Sequence, residues 1–139
     1  MTSSEPRSGA TENLREWMLV VDDDQPIHRM IGEMLEDSGV DVVAASDATA
    51  GLEALDREPN EPVLVLIDVL MPGMDGLTLA RKLGSRLGRS KVAIMSGHLS
   101  NLSWWPVDLR ELPYLGKPFR MAELKELLAT ARVESRRGK

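Results

Sequence analysis

Short apolar runs alternate along the chain with longer amphipathic stretches. The runs hold four to six residues, mostly Val, Ile, Leu and Ala, and are bounded by polar residues, glycine or proline; they are Trp17–Val21, Val40–Ala45, Val63–Ile67, Val92–Met95 and a weaker Leu112–Leu115. Runs of this length are typical of strands that are buried on both faces of a parallel sheet. The pattern therefore predicts five strands.

Helical periodicity fills most of the intervals between these runs. Pro26 suits the first position of a helix, and apolar residues follow it at spacings of three and four until Gly39 marks the expected end. A second helix is expected to begin with a cap at Asp47 and to end before Pro59. A third is expected to begin with a cap at Asp75 and to end at Gly88, and the last helix is expected from about Met121 to Val133.

The interval between the fourth and fifth runs differs from the others. It contains Trp104, Trp105 and Pro106, and a proline interrupts a helix, so a fourth helix here is expected to be short or irregular. Strands that alternate with helices indicate a parallel sheet with helices on both faces. We therefore predict an α/β, flavodoxin-like, doubly wound five-stranded sheet of order 2-1-3-4-5.

The two ends of the chain differ from its middle. Residues 1–15 are rich in polar residues and are expected to form a flexible arm, and residues 134–139 a basic tail, which leaves 16–133 for one domain. The first residues lack the apolar centre of a signal peptide, and no apolar run is long enough to span a bilayer. The expected location is the cytoplasm, without membrane partners.

Composition narrows the possible chemistry. The 139 residues are 42% hydrophobic and 28% charged, which is ordinary for a globular domain. Their formal charge of −5 argues against a nucleic-acid binder held by electrostatics. There is no cysteine and there are two histidines, His28 and His98, so disulfides, thiol nucleophiles and most zinc sites are excluded.

Polar residues end the predicted strands on the side where doubly wound sheets bind ligands. The first run leads into Asp22 and Asp23, the third into Asp68, the fourth into Ser96 and the fifth into Lys117. Three neighbouring carboxylates need raised pKa values or a cation to offset their repulsion. Oxygen ligands of this kind suit Mg²⁺ better than a transition metal.

These strand ends resemble the receiver domain of bacterial two-component response regulators. The motifs are Val-Val-Asp-Asp-Asp at 20–24, Ile-Asp-Val-Leu-Met-Pro-Gly-Met-Asp-Gly at 67–76, Met-Ser-Gly at 95–97 and Lys-Pro-Phe at 117–119. The resemblance covers about residues 16–133. The interval before the fifth strand, together with residues 112–119, also resembles receivers attached to hybrid sensor kinases.

The resemblance implies a phosphoryl-transfer site. Asp68 is the implied phosphoacceptor. Asp23, Asp68 and the backbone carbonyl of Leu70 are the implied direct ligands of Mg²⁺, or of Mn²⁺, with Asp22 acting partly through water. Two further residues, Ser96 and Lys117, are implied to bind the phosphoryl oxygens.

The resemblance also assigns a switch and a lifetime. Tyr114 matches the aromatic position that changes rotamer when the hydroxyl of Ser96 moves towards the phosphate. Leu70 and His98 occupy positions at which the family tunes the phosphoryl lifetime, and we expect apolar Leu70 to hinder the attacking water. The peptide bond before Pro118 is cis in the family.

The implied partners are proteins. The phosphoryl donor is a sensor histidine kinase or a histidine phosphotransfer protein, and the signal leaves through a downstream protein target. We expect no DNA-binding output domain, no turnover enzyme and a monomer or weak dimer.

Other interpretations remain beside this one. Asp22 and Asp23 can simply cap the first helix. The chain can be a pseudo-receiver that binds proteins without being phosphorylated. An aspartate-nucleophile phosphatase would need an Asp where Leu70 stands, and a flavodoxin would need a phosphate cradle after the first strand. For the remaining residues, His28 is expected to be a partly exposed helix residue, and Trp104 and Trp105 a local apolar cluster.

Overall fold

The computed structural model describes residues 15–69, 76–97 and 112–137. These residues form five strands, four α-helices and one 3-10 turn at Arg89–Lys91. The strands are β1 (Trp17–Val21), β2 (Asp41–Ala45), β3 (Leu64–Asp68), β4 (Val92–Ser96) and β5 (Tyr114–Gly116), and the helices are α1 (Gln25–Met34), α2 (Ala48–Arg57), α3 (Gly76–Leu87) and α4 (Met121–Arg137).

The five strands form one parallel sheet of order β2-β1-β3-β4-β5. This confirms the predicted flavodoxin-like fold and its strand order. The order reverses between β1 and β3, whose register pairs Val21 with Ile67. Residues that follow these two strands therefore emerge side by side at the carboxyl edge of the sheet.

Each face of the sheet carries a separate apolar core. Alternate residues of β1 point to opposite faces, since side chains of a strand alternate. Trp17, Leu19 and Val21 pack with residues of α2 and α3, whereas Met18 and Val20 pack with residues of α1 and α4. The central strands β1, β3 and β4 are buried along their full length. The central strands are consequently packed between two apolar cores up to the carboxyl edge of the sheet.

The two outer strands differ from the prediction in burial or position. Strand β2 is largely half-buried or exposed, because it lies at the edge of the sheet with β1 as its neighbour. The expectation that this strand is buried on both faces was therefore wrong. Strand β5 begins at Tyr114, two residues after the predicted start at Leu112.

Helix α1 is shorter than predicted. It ends at Met34, and Leu35, although outside the helix, is fully packed in the core. The next residues form a tighter turn, in which Glu36 N–H donates to the Glu33 carbonyl. The chain then turns at Gly39, whose φ of 75° suits glycine. Gly39 thus ends the connection to β2 and not the helix.

The remaining helix ends agree with the prediction in two cases and differ in one. The Asp47 carboxylate accepts a hydrogen bond of 2.8 Å from Ala50 N–H, and α2 ends at Arg57, before Pro59. Helix α3 is followed by Gly88 with φ 103°. Helix α4 continues to Arg137, four residues past the predicted end at Val133. Among the described residues, no helix has the length and apolar character needed to cross a membrane.

Several expectations lie outside the described residues. They concern the arm at residues 1–14, the cap at Asp75, the fourth helix with Trp104, Trp105 and Pro106, and the side chains of Leu70 and His98.

Candidate functional site

Three carboxylates meet at the carboxyl edge of the sheet. Asp22 follows β1 directly, Asp23 is the next residue, and Asp68 ends β3. One carboxylate oxygen of each lies within 4.8 Å of those of the other two. Asp22 and Asp68 are buried, and Asp23 is exposed. The strand register alone accounts for this convergence, because β1 and β3 are neighbours.

Asp22 is bonded at every polar atom. Its N–H donates to the Ala45 carbonyl at 3.0 Å, which extends the pairing of β1 with β2. One carboxylate oxygen accepts from Asp24 N–H at 3.0 Å and the other from the Lys117 ammonium at 2.7 Å. Its carbonyl oxygen is bonded to Nε2 of His28. Asp22 therefore has a fixed orientation.

The helix-cap interpretation of the first two acids finds no support in these contacts. The N-cap of α1 is Asp24, and its side chain makes no capping hydrogen bond. Asp22 precedes the N-cap and directs its carboxylate to Lys117 and to the Asp24 N–H.

Lys117 joins the acids of two strands. Its ammonium nitrogen lies 2.7 Å from Asp22 Oδ2 and 3.1 Å from Asp68 Oδ2. Its own N–H donates to the Ser96 carbonyl at 2.9 Å, which continues the pairing of β5 with β4. The Lys117–Pro118 peptide is cis, as the resemblance implied. The lysine is thus the counter-ion of the acidic cluster.

Burial and charge shift the pKa values of this pair. Burial raises the pKa of Asp22, and the Asp68 charge adds to this, while hydrogen bonds from Lys117 and Asp24 act in the opposite direction. Burial lowers the pKa of Lys117 and is its largest single influence, but hydrogen bonds to Asp22 and Asp68 together raise this pKa above the usual value. The lysine is therefore charged at neutral pH.

The donor set fits a hard divalent cation. Three carboxylates supply oxygen ligands, which Mg²⁺ prefers, and a second cation beside Lys117 offsets their repulsion. Both oxygens of Asp22 already accept hydrogen bonds, whereas Asp23 is exposed. The direct binding of a cation by Asp23 and the water-mediated role of Asp22 stay predictions.

The two remaining described residues of the implied site lie on the neighbouring strands. Ser96 is buried at the end of β4, beside Gly116 of β5. Tyr114 begins β5 and is 56% exposed. Ser96 thus ends a strand at the same edge of the sheet as the acids, and Tyr114 lies on the outer strand.

His28 is the site neighbour that the sequence interpretation missed. It is buried, not partly exposed, and its Nε2 contacts the Asp22 carbonyl. The signal was present in the spacing: His28, Ile31 and Leu35 follow at i, i+3 and i+7 and form the buried side of α1. Ile27, Met30 and Met34 are only partly buried.

Gly76 is a second neighbour that spacing cannot reveal. It begins α3, and a β-carbon there would lie 2.6 Å from Val69 Cα and 2.7 Å from the Asp68 carbonyl oxygen. The backbone of α3 therefore touches the backbone of the proposed phosphoacceptor, and glycine alone leaves room for this approach.

The motifs and this geometry agree with the comparison to known families. The model of the response regulator receiver domain family matches residues 18–129. The chain belongs to this family. Receiver domains of two-component systems are signalling modules, so the matched region is a signalling domain with the acidic pocket of the family at its carboxyl edge.

Individual relatives and structures agree with the assignment. Response regulator MprA of Mycobacterium sp. (strain KMS) is 36% identical over 122 residues, which cover 86% of this chain and 50% of that protein. A protein-glutamate methylesterase/protein-glutamine glutaminase of Natronomonas pharaonis is 34% identical over 104 residues, 72% of this chain and 28% of that protein. The crystal structure of a receiver domain protein from Clostridium thermocellum superposes with a TM-score of 0.76 at 27% identity, covering 89% of this chain and 99% of that one.

The curated relatives are longer than the similarity. The chain spans 20% to 54% of the length of the first relatives it matches. For the methylesterase, the similarity is confined to 28% of the protein, the receiver part, so its catalytic activity does not carry over.

Proposed function

We propose that this receiver domain is a phosphorylation switch in which Asp68 accepts a phosphoryl group from the phosphohistidine of a sensor kinase or a phosphotransfer protein. The observation that carries the proposal is the joint contact of Lys117 with Asp22 and Asp68, in a cluster where three carboxylates lie within 4.8 Å. Such a cluster has a nucleophile, a cation and ligands for a second cation in one place.

The chemistry of the transfer requires positioning and charge neutralisation more than covalent help from the protein. Attack by a carboxylate oxygen of Asp68 on phosphorus forms the aspartyl phosphate and breaks the bond to the donor nitrogen, which keeps the electron pair. Lys117, already 3.1 Å from Asp68, offsets the charge on the transferred oxygens. Ser96, at the end of the adjacent strand, is proposed to donate its hydroxyl to them.

A bound Mg²⁺ would supply a second positive charge to the phosphoryl oxygens, held by Asp23 and Asp68 with Asp22 behind them. Asp22 keeps its orientation through its contacts with Lys117 and Asp24. The same set accommodates Mn²⁺, which has the same preference for oxygen.

The output of the switch is proposed to be contact with another protein, in the cytoplasm. The exposed ring of Tyr114 on the outer strand supports a link between Ser96 and that surface. The domain is proposed to assist its own phosphorylation and dephosphorylation without being a turnover enzyme, to bind no nucleic acid directly and to be a monomer or weak dimer.

The test is phosphorylation by a small donor. The full chain, incubated with Mg²⁺ and acetyl phosphate, should gain the mass of one phosphoryl group, and removal of Mg²⁺ with a chelator should prevent the gain. Asp68→Asn should show no adduct, while Asp47→Asn, which changes the N-cap carboxylate of α2 and not one of the three clustered acids, should behave like the wild type. An unmodified wild type, or an undiminished adduct in Asp68→Asn, contradicts the proposal.

A further inference from the structure

His28 is a buried polar residue that the proposed phosphoryl transfer does not use. It lies in the first turn of α1 with 9% of its surface exposed, on the same side of the helix as Ile31 and Leu35. Its Nε2 is 2.5 Å from the carbonyl oxygen of Asp22. Loss of a hydrogen bond between buried groups costs free energy, because the carbonyl would remain unpaired.

The position of this carbonyl in the chain gives the contact its meaning. The carbonyl belongs to the peptide between Asp22 and Asp23, so its orientation sets the direction in which the chain presents the Asp23 side chain. Among the described residues, the other hydrogen bonds of Asp22 involve its N–H and its carboxylate, and His28 is the partner of its carbonyl. Asp23 itself is exposed.

The contact with the carbonyl requires a hydrogen on Nε2 of the ring. A carbonyl oxygen accepts, so Nε2 must carry the hydrogen. Nδ1 is buried, and the described residues offer it no hydrogen-bond partner. His28 therefore acts on Asp22 as a hydrogen-bond donor through Nε2.

We infer that His28 is a positioning residue for the metal-binding acids: it holds the Asp22–Asp23 peptide and so places the Asp23 carboxylate beside that of Asp68. The inference rests on the proposed function, because it assumes that these acids bind Mg²⁺. Outer partners of metal ligands act in this way by reducing the freedom of the ligands before the ion arrives.

The experiment compares two amides at position 28. In His28→Gln the amide nitrogen reaches about as far as Nε2 and can still donate to the Asp22 carbonyl, whereas the shorter side chain of His28→Asn cannot. Mg²⁺ is titrated into the full-length wild type and each variant, and affinity is measured by calorimetry and by the shift of the Asp23 backbone amide in NMR. We expect His28→Asn to weaken Mg²⁺ binding by about tenfold, the low end for outer partners of metal ligands, and His28→Gln by less than about threefold.

Two further variants separate positioning from stability. Ile31→Val removes a buried methyl group from the same side of α1 without touching Asp22, so it should destabilise the fold and leave Mg²⁺ affinity unchanged. His28→Leu fills the site without a hydrogen-bond donor. It should weaken Mg²⁺ binding as much as is expected for His28→Asn, and it takes the place of that variant if His28→Asn does not fold.

The outcomes distinguish the inference from the proposed function. Wild-type Mg²⁺ affinity in both His28→Asn and His28→Leu overturns the role of His28. So does a loss of Mg²⁺ affinity in His28→Gln and Ile31→Val that equals the loss in His28→Asn. Absence of Mg²⁺ binding by the wild type overturns the proposed function instead.

Discussion

Lys117 is the residue on which the acidic cluster depends. Asp22 and Asp68 are both buried, and their charges repel each other. A buried carboxylate without a partner costs several kcal/mol, so the ammonium group at 2.7 and 3.1 Å offsets a large penalty. A partly exposed lysine on α4, Lys125, pairs with the exposed Asp37 at 3.2 Å and offsets no such penalty.

Replacing these two lysines by methionine should therefore have unequal effects. Lys117→Met should lower the free energy of unfolding by about 2 kcal/mol without divalent cations, since it leaves Asp22 buried beside Asp68. Lys125→Met should change it little, because the pair is open to solvent, with Asp37 exposed and Lys125 partly exposed. Chemical denaturation at neutral pH measures both.

The pH and metal dependence of this loss provide its controls. The pKa of Lys117 is raised above the ordinary 10.5, so its contribution is complete below that pH and is lost as pH rises through the folded-state pKa. The difference between wild type and Lys117→Met should thus persist across neutral pH, and Mg²⁺ should reduce it by binding the unpaired acids. Equal losses in the two lysine variants would contradict this account.

Helix α3 begins against the end of β3, and its first residue sets how close the two elements come. Gly76 lies where a side chain would meet the Val69 Cα and the Asp68 carbonyl, and neither backbone atom can yield as a flexible side chain would. Gly84, eight residues later in the same helix, has open space around it, with the Arg89 side chain at 4.0 Å.

Alanine at these two glycines should have opposite effects on stability. Gly76→Ala should cost about 1 to 3 kcal/mol through overpacking, and should slow phosphorylation by acetyl phosphate because α3 pushes on Asp68. Gly84→Ala should gain about 0.5 to 1 kcal/mol, since alanine favours a helix where space permits. Denaturant unfolding of both variants tests this, and a neutral Gly76→Ala would show that α3 can shift without cost.

The polar contacts that hold the last helix, α4, against the rest of the domain lie at the opposite end of the sheet from the acids. Arg132 of α4 donates to the Glu16 carboxylate just before β1 and, at 2.6 Å, to the Ser38 carbonyl in the turn before β2. Lys125 reaches Asp37 in the same turn. The polar contacts of α4 thus lie at one end of the domain, and the acidic cluster of the candidate site lies at the other.

This separation predicts a stability effect without a binding effect. Arg132→Met should lower the free energy of unfolding by about 1 kcal/mol, since it leaves the Ser38 carbonyl and Glu16 without their donor. Mg²⁺ affinity should remain that of the wild type. Arg120→Met, at an 86% exposed position, is the control and should change neither quantity. Weakened Mg²⁺ binding in Arg132→Met would show that the two ends are coupled.

Much of this organisation could be predicted from the sequence, because it depends on periodicity and on strand ends. Apolar runs identified the strands, and parallel order brought the residues after β1 and β3 to one edge. Helix α1 shows where prediction from periodicity fails. The prediction assigned apolar residues from two sides of the helix to one inward face, whereas the buried residues in the structure are His28, Ile31 and Leu35. A buried histidine is tolerated on this side of the helix because the Asp22 carbonyl accepts the Nε2 hydrogen.

The linear pattern of residues determined the α/β fold, the strand order and the set of acids at one edge, since these follow from local periodicity and chain connectivity. The tertiary structure decided which contacts hold that set: the bonds of Lys117 to two strands, the His28 donor on the Asp22 carbonyl and the close approach of Gly76. These are distances between residues far apart along the chain or on separate elements, and packing of the elements sets them.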